Sequence, residues 1–150
     1  MIARVFLAIA ACALLASDDA KDKAIKADLE RLQGTYTMLS LEVDGKSVPE
    51  EKLKSSTLTI KGDKYVVKVK EQTYETQMIL DPDKKPKTID MKFLDGANKD
   101  KTALGIYKIG DDTFTMCRRL NPDQARPQDF GTWPNTNTFL VVWKKQKENK

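Results

Sequence analysis

The chain has 150 residues, with 26 Lys and Arg against 22 Asp and Glu, a formal charge of +4 and no histidine. That length holds one ordinary domain. The absence of histidine excludes a Ser–His or Cys–His nucleophile pair and a histidine-built zinc site, so neither an enzyme nor a bound metal or cofactor is expected.

The opening, MIARVFLAIAACALL, sets Arg4 before an apolar run from Val5 to Ala16. This is the layout of a secretory signal, and the run is shorter than the roughly 20 apolar residues of a membrane span. Residues 1–17 are read as removed on export, with cleavage after Ala13 or later, up to residue 20. The expected location is the periplasm or cell envelope, or outside the cell. A second reading takes Ile9, Ala10, Ala11 and Cys12 as a lipobox whose lipidated Cys12 would tether the protein to a membrane; the apolar ALLA that follows speaks against it. Signal or anchor would be the only membrane link. Cys117 then remains the single mature cysteine, which excludes an internal disulfide or a thiolate cage, and its apolar setting, FTMC, favours burial.

The domain proper is expected over residues 24–145. It begins with a short helix, Ala24 to Gln33, in which Ile25, Leu29 and Leu32 recur at helical spacing before Gly34. The period then changes to two. Eight strands follow: Thr35 to Val43, Ser56 to Lys61, Lys64 to Lys70, Thr73 to Leu80, Lys87 to Leu94, Thr102 to Ile109, Thr113 to Arg119 and Asn137 to Lys144, separated by turn signals such as Asp44-Gly45, Gly62-Asp63 and Gly110-Asp111. In the first gap, DGKSVPEEKLK carries a one-turn helix start. An open sheet of this size leaves exposed edges, and eight antiparallel strands suit closure, so the fold class is all-β, an eight-stranded antiparallel meander closed as a barrel.

Such a barrel is either filled by side chains or holds one small ligand. Tyr65, Tyr74, Met78, Met91 and Phe93 are the candidate pocket lining, drawn from an alternating inner set that also contains Val67, Val69, Leu80 and Ile89. The stretch ARPQDFGTW is read as a clasp at the pocket mouth, in which Arg126 and Asp129 pair, Pro127 stiffens the approach, and Phe130 and Trp133 cap apolar surface. The functional alternative makes Arg126 an anion hook. The scattered carboxylates, among them Glu42, Asp44, Glu75 and Asp90, are read as solvated charge, and the lysines lack the interleaved aromatics of a nucleic-acid groove. A monomer is expected, without nucleic acid as a partner.

The runs LQGTYTMLSLEVDGK, LTIKGDKY, LDPDKKPKTIDMKF, GIYKIGDDTFTMC and RPQDF resemble, in that order, an uncharacterised lipocalin-like family of exported proteins abundant in planctomycete bacteria, over roughly Leu32 to Lys145. The resemblance implies a lipocalin-like barrel and no particular activity. Where the family opens on Gly-Thr-Trp, this chain has Gly34, Thr35 and Tyr36. By likeness to lipocalins, Tyr36 would plug one barrel end and Arg126 would pack across it. The function expected is binding of a small apolar or amphipathic ligand in the interior; the alternative is a non-enzymatic envelope interaction or structural module with a solid core.

Overall fold

The computed structural model describes residues 12–147, with side chains from residue 17. Most of the proposed leader, and the side chain of Cys12, lie outside the described residues. Among these residues no helix is long and apolar enough to cross a membrane.

Helix α1 (Cys12–Leu32) is 21 residues long and ends where Gly34 opens the first strand. It begins well before the expected Ala24. The Asp-, Lys- and Ala-bearing stretch before that point has no apolar stripe to announce a helix, yet alanine and lysine are strong helix formers and let the backbone continue. Ile25, Leu29 and Leu32 face the barrel and pack on its core.

The strands are β1 (Gly34–Val43), β2 (Lys46–Ser47), β3 (Ser56–Lys61), β4 (Lys64–Val69), β5 (Gln72–Asp81), β6 (Thr88–Phe93), β7 (Thr102–Ile109), β8 (Thr113–Arg119) and β9 (Thr138–Lys145). The two-residue β2 is an addition to the eight expected. It folds back on the end of β1 through Asp44 and Gly45, which take φ of 51° and 81°, the paired left-handed conformation of a tight hairpin turn. The one-turn helix α2 (Glu50–Leu53) follows and buries Leu53.

All neighbours pair antiparallel, in the order β1-β3-β4-β5-β6-β7-β8-β9, and β9 returns to β1 from Tyr36↔Lys145 to Val43↔Phe139. The barrel is therefore closed, with eight long strands in a meander. Closure leaves neither β1 nor β9 as a bare edge. One register shift between Met38 and Ser40 bulges Leu39 outward.

The half of the barrel nearest α1 is solid. Phe114 is fully buried and meets Tyr36, Tyr65 and Tyr107 edge to face at centroid distances of 6.4 to 6.5 Å, and Tyr65 meets Trp143 in the same manner at 6.5 Å. Such offset ring contacts add to the gain from burial. The helix closes this end through polar locks. Tyr36 Oη donates to the carbonyl of Leu32 at 2.8 Å, and burial pushes the Tyr36 phenol up to about 12. Asp28, only 5% exposed, accepts from Tyr107 Oη at 2.8 Å and Lys87 Nζ at 2.7 Å. Lys21 pairs with Asp81 at 3.0 Å.

Candidate functional site

The half of the barrel away from α1 is not filled. Alternation along the strands turns Met38, Leu41 and Val43 of β1, Val67 of β4, Met91 and Phe93 of β6, and Val141 of β9 towards the axis, and the space between them is a cavity of about 280 Å³. Trp143 and Tyr65 lie on its lining towards the solid half, where Trp143 Nε1 donates to Tyr65 Oη at 2.9 Å. Burial holds the Tyr65 phenol well above the ordinary range, so it stays a neutral O–H. Tyr74 and Leu120 stand at the open end, the former 52% exposed.

Of the five residues expected to line a pocket, Tyr65, Tyr74, Met91 and Phe93 do so. Met78 does not; it is buried off the lining, although it stands opposite Met91 in the β5–β6 register. The expectations for ARPQDFGTW divide differently. Arg126 is not at the cavity. Its Nη1 donates to the carbonyls of Gly105 at 2.7 Å and Ile89 at 3.3 Å, and its Nη2 lies 2.7 Å from Asp90 Oδ1. That last contact is one of charge, since Oδ1 accepts no well-aligned hydrogen bond. Asp90 faces outward by alternation with the inward Ile89 and Met91, so Arg126 binds the outside of the wall.

Asp129 is exposed and not paired with Arg126 among the described residues. Phe130 and Trp133 do not cap the mouth: Lys108 Nζ sits 4.9 Å from the centre of the Phe130 ring, on the outer wall, and Trp133 is 53% exposed. The segment between β8 and β9 is thus a strap laid over the outside of the barrel. Along it, Cys117 Sγ donates to the Gly131 carbonyl at 3.6 Å, Thr132 Oγ1 donates to Glu42 at 2.6 Å, and the amides of Thr136 and Asn137 donate to Asp44 Oδ1 at 2.8 and 2.9 Å. Covering by the strap explains why Ile106 and Cys117, which face outward, are fully buried. It also pushes the Cys117 thiol up to about 11, chiefly by desolvation.

The plug has a different cover from the one the resemblance implied. Tyr36 closes the helix end, and the cation over its ring is Lys145 of β9, 5.9 Å from the centroid, whose Nζ also donates to the Arg31 carbonyl at 3.0 Å. Lys145 stands opposite Tyr36 in the β1–β9 register, so strand pairing itself delivers the charge to the ring.

The cationic group in the cavity is Arg118, which the sequence reading did not single out. It stands on β8 two residues after Met116 and four after Phe114, on the inward face. The alternation Phe-x-Met-x-Arg in TFTMCRR carries that signal, and its charge conceals it. Gly105 lies opposite Arg118 in the β7–β8 register and makes the room: a Cβ there would come within 2.9 Å of Arg118 Cβ and 2.8 Å of the Cys117 carbonyl oxygen. The guanidinium lies 4.4 Å from the centre of the Phe139 ring and 5.5 Å from that of Phe93. Nη1 donates to the carbonyls of Arg119 at 2.7 Å and Leu120 at 3.4 Å. Among the described residues no carboxylate pairs with it. Burial lowers its pKa to about 10, which leaves it charged at neutral pH.

Comparison with family models, with curated proteins and with solved structures finds no match to this chain.

Proposed function

We propose that this chain is an exported, non-enzymatic barrel of the lipocalin-like kind that binds one small apolar or amphipathic molecule in its interior, acting as a monomer in the periplasm or cell envelope, or outside the cell. The observation that carries the reading is the cavity of about 280 Å³ in the half of the barrel away from α1. A void of that size with an apolar wall forfeits packing contacts throughout its lining, and an apolar ligand restores them. The volume lies near the lower end of the roughly 300–1,000 Å³ usual for small-molecule sites, which argues for a small ligand.

The rival, an envelope interaction module with a solid core, draws support from the filled half beneath α1, where Phe114 and Trp143 leave little space. Titration with 2-naphthol, a neutral fluorophore small enough for the cavity, separates the two. Saturable binding by the wild-type protein, lost in a cavity-filling Val67→Phe variant that melts at an unchanged temperature, is the expected result. No binding by the wild-type protein, or binding indifferent to Val67→Phe, would return the function to the outer surface.

Export rests on the layout of the first 17 residues. Intact-mass analysis of the protein from a secreting host distinguishes a chain cut between residues 13 and 20 from one lipidated at Cys12. A full-length, unmodified mass in the exported fraction would contradict both.

A further inference from the structure

Arg118 has the setting of a charge that waits for a partner. Its Nη1 is engaged by two backbone carbonyls, while Nε and Nη2 have no acceptor among the described residues. Two phenylalanine rings flank the half-buried side chain. A half-buried cation without a counter-charge gives up part of its hydration, and a hydrophobic side chain of similar size would fill the same place without that cost. Cation–ring contacts with Phe93 and Phe139 offset part of it. They leave the remaining N–H groups open to an acceptor.

The Tyr65 hydroxyl is likewise a donor: it accepts from Trp143, and its own proton meets no acceptor among the described residues, whereas the Thr76 and Tyr74 hydroxyls of the lining already donate to the Tyr65 carbonyl and to Gln72. The cavity therefore presents N–H and O–H groups and a positive charge, and no carboxylate. A ligand that completes it supplies acceptor oxygens and a negative charge at the Arg118 end. The guanidinium fork matches the two coplanar oxygens of a carboxylate.

The remainder of the ligand follows from the wall and the volume. Between Arg118 and Trp143 the lining is Met91, Met116, Val67 and Val141, flexible or small apolar groups that fit an unbranched chain. A cavity of about 150 Å³ holds benzene. At about 280 Å³ this one takes roughly twice as many non-hydrogen atoms, on the order of a dozen.

Resting on the reading of the barrel as a ligand-binding protein, we infer that the ligand is a single-chain carboxylate of about ten carbons, its head held by Arg118 between Phe93 and Phe139 and its tail running inward towards Trp143.

The test compares decanoate with 1-decanol, which share a chain and differ in head-group charge, by quenching or enhancement of Trp143 fluorescence in a Trp133→Phe background. Decanoate is expected to bind at least about tenfold more tightly than 1-decanol, as a charge-assisted hydrogen-bonded pair warrants. Arg118→Gln should abolish that preference by weakening decanoate alone, with 1-decanol affinity changed by less than about twofold; Arg118→Lys should keep part of it. Equal affinity of the wild-type protein for the two compounds, or a preference that survives in Arg118→Gln, overturns the assignment. Should Arg118→Gln fail to fold, the wild-type comparison and Arg118→Lys still decide. If 1-decanol and 2-naphthol bind while decanoate binds no better, the carboxylate falls and the binding barrel stands; if none of the three binds, both fall together.

Discussion

Truncating Arg126 to alanine removes two backbone acceptors' donor and the charge beside Asp90, on the outside of the wall. Hydrogen bonds from a charged donor contribute about 1.5–3 kcal/mol each, discounted here because the side chain is partly exposed. Arg126→Ala should therefore lower stability by roughly 1–3 kcal/mol in urea unfolding and leave 2-naphthol affinity unchanged. Lost affinity at constant stability would instead make Arg126 the hook. Cys117 offers a second check at this scale. Its thiol is buried and its pKa is raised to about 11, so the thiolate is scarce at pH 8. The folded state holds that proton more tightly than the unfolded one, so its contribution to stability is lost as pH climbs through about 11. Peptide-mapped alkylation at pH 8 should leave Cys117 unmodified until denaturant is added; rapid labelling of the native protein would mean that the strap does not cover it.

The element that closes the barrel is α1, and its locks have different natures. Asp28 is buried and serves both Tyr107 and Lys87, so Asp28→Ala strips one buried donor and one half-exposed cation of their acceptor. A loss of about 2–4 kcal/mol in thermal or urea unfolding is expected; a loss under about 0.5 kcal/mol would show that the helix is held by its apolar face alone. The pair Lys21–Asp81 is half-exposed and acts through pH. The hydrogen bond from Lys21 holds the Asp81 carboxyl below its usual range. Its contribution is thus present above the ordinary carboxylate pKa of about 3.9 and disappears as pH falls through the lower folded value. Melting curves between pH 2.5 and 6 should show a shallower acid decline for Asp81→Asn than for the wild-type protein; superimposable slopes would remove the pair from the account.

Across the whole molecule, the strands were legible because apolar residues alternate between turn signals, as in TIDMKF, and because closure follows from counting them. Even the β4–β5 turn, which uses Lys70 at φ 55° instead of a glycine, lies where the alternation of KYVVKVK stops. The site was legible only in part. Tyr65, Tyr74, Met91 and Phe93 are apolar at inward positions, and periodicity finds such residues. Met78 obeys the same pattern and pairs with Met91, yet only Met91 reaches the lining; packing across the barrel decides between such neighbours, and a two-residue period carries none of it. Arg118 and Asp28 are charges on apolar faces. The spacing that puts them inside was visible, and their burial depends on partners such as Phe139 and Tyr107 that lie far off along the chain. ARPQDFGTW holds the barrel from outside because Asp90, its true partner, lies 36 positions before Arg126, where local spacing favours Asp129.

The methionines give the most direct measurement of the central claim, that the space opposite α1 is a binding site. Met38, Met91 and Met116 line the cavity, whereas Met78, opposite Met91 in the β5–β6 register, is buried off the lining. With ¹³C-methyl-labelled methionine, titration with 2-naphthol should shift the methyl resonances of Met38, Met91 and Met116 saturably and with one common affinity, and move that of Met78 less. Binding that moves none of the three, or no binding at all, would contradict the account.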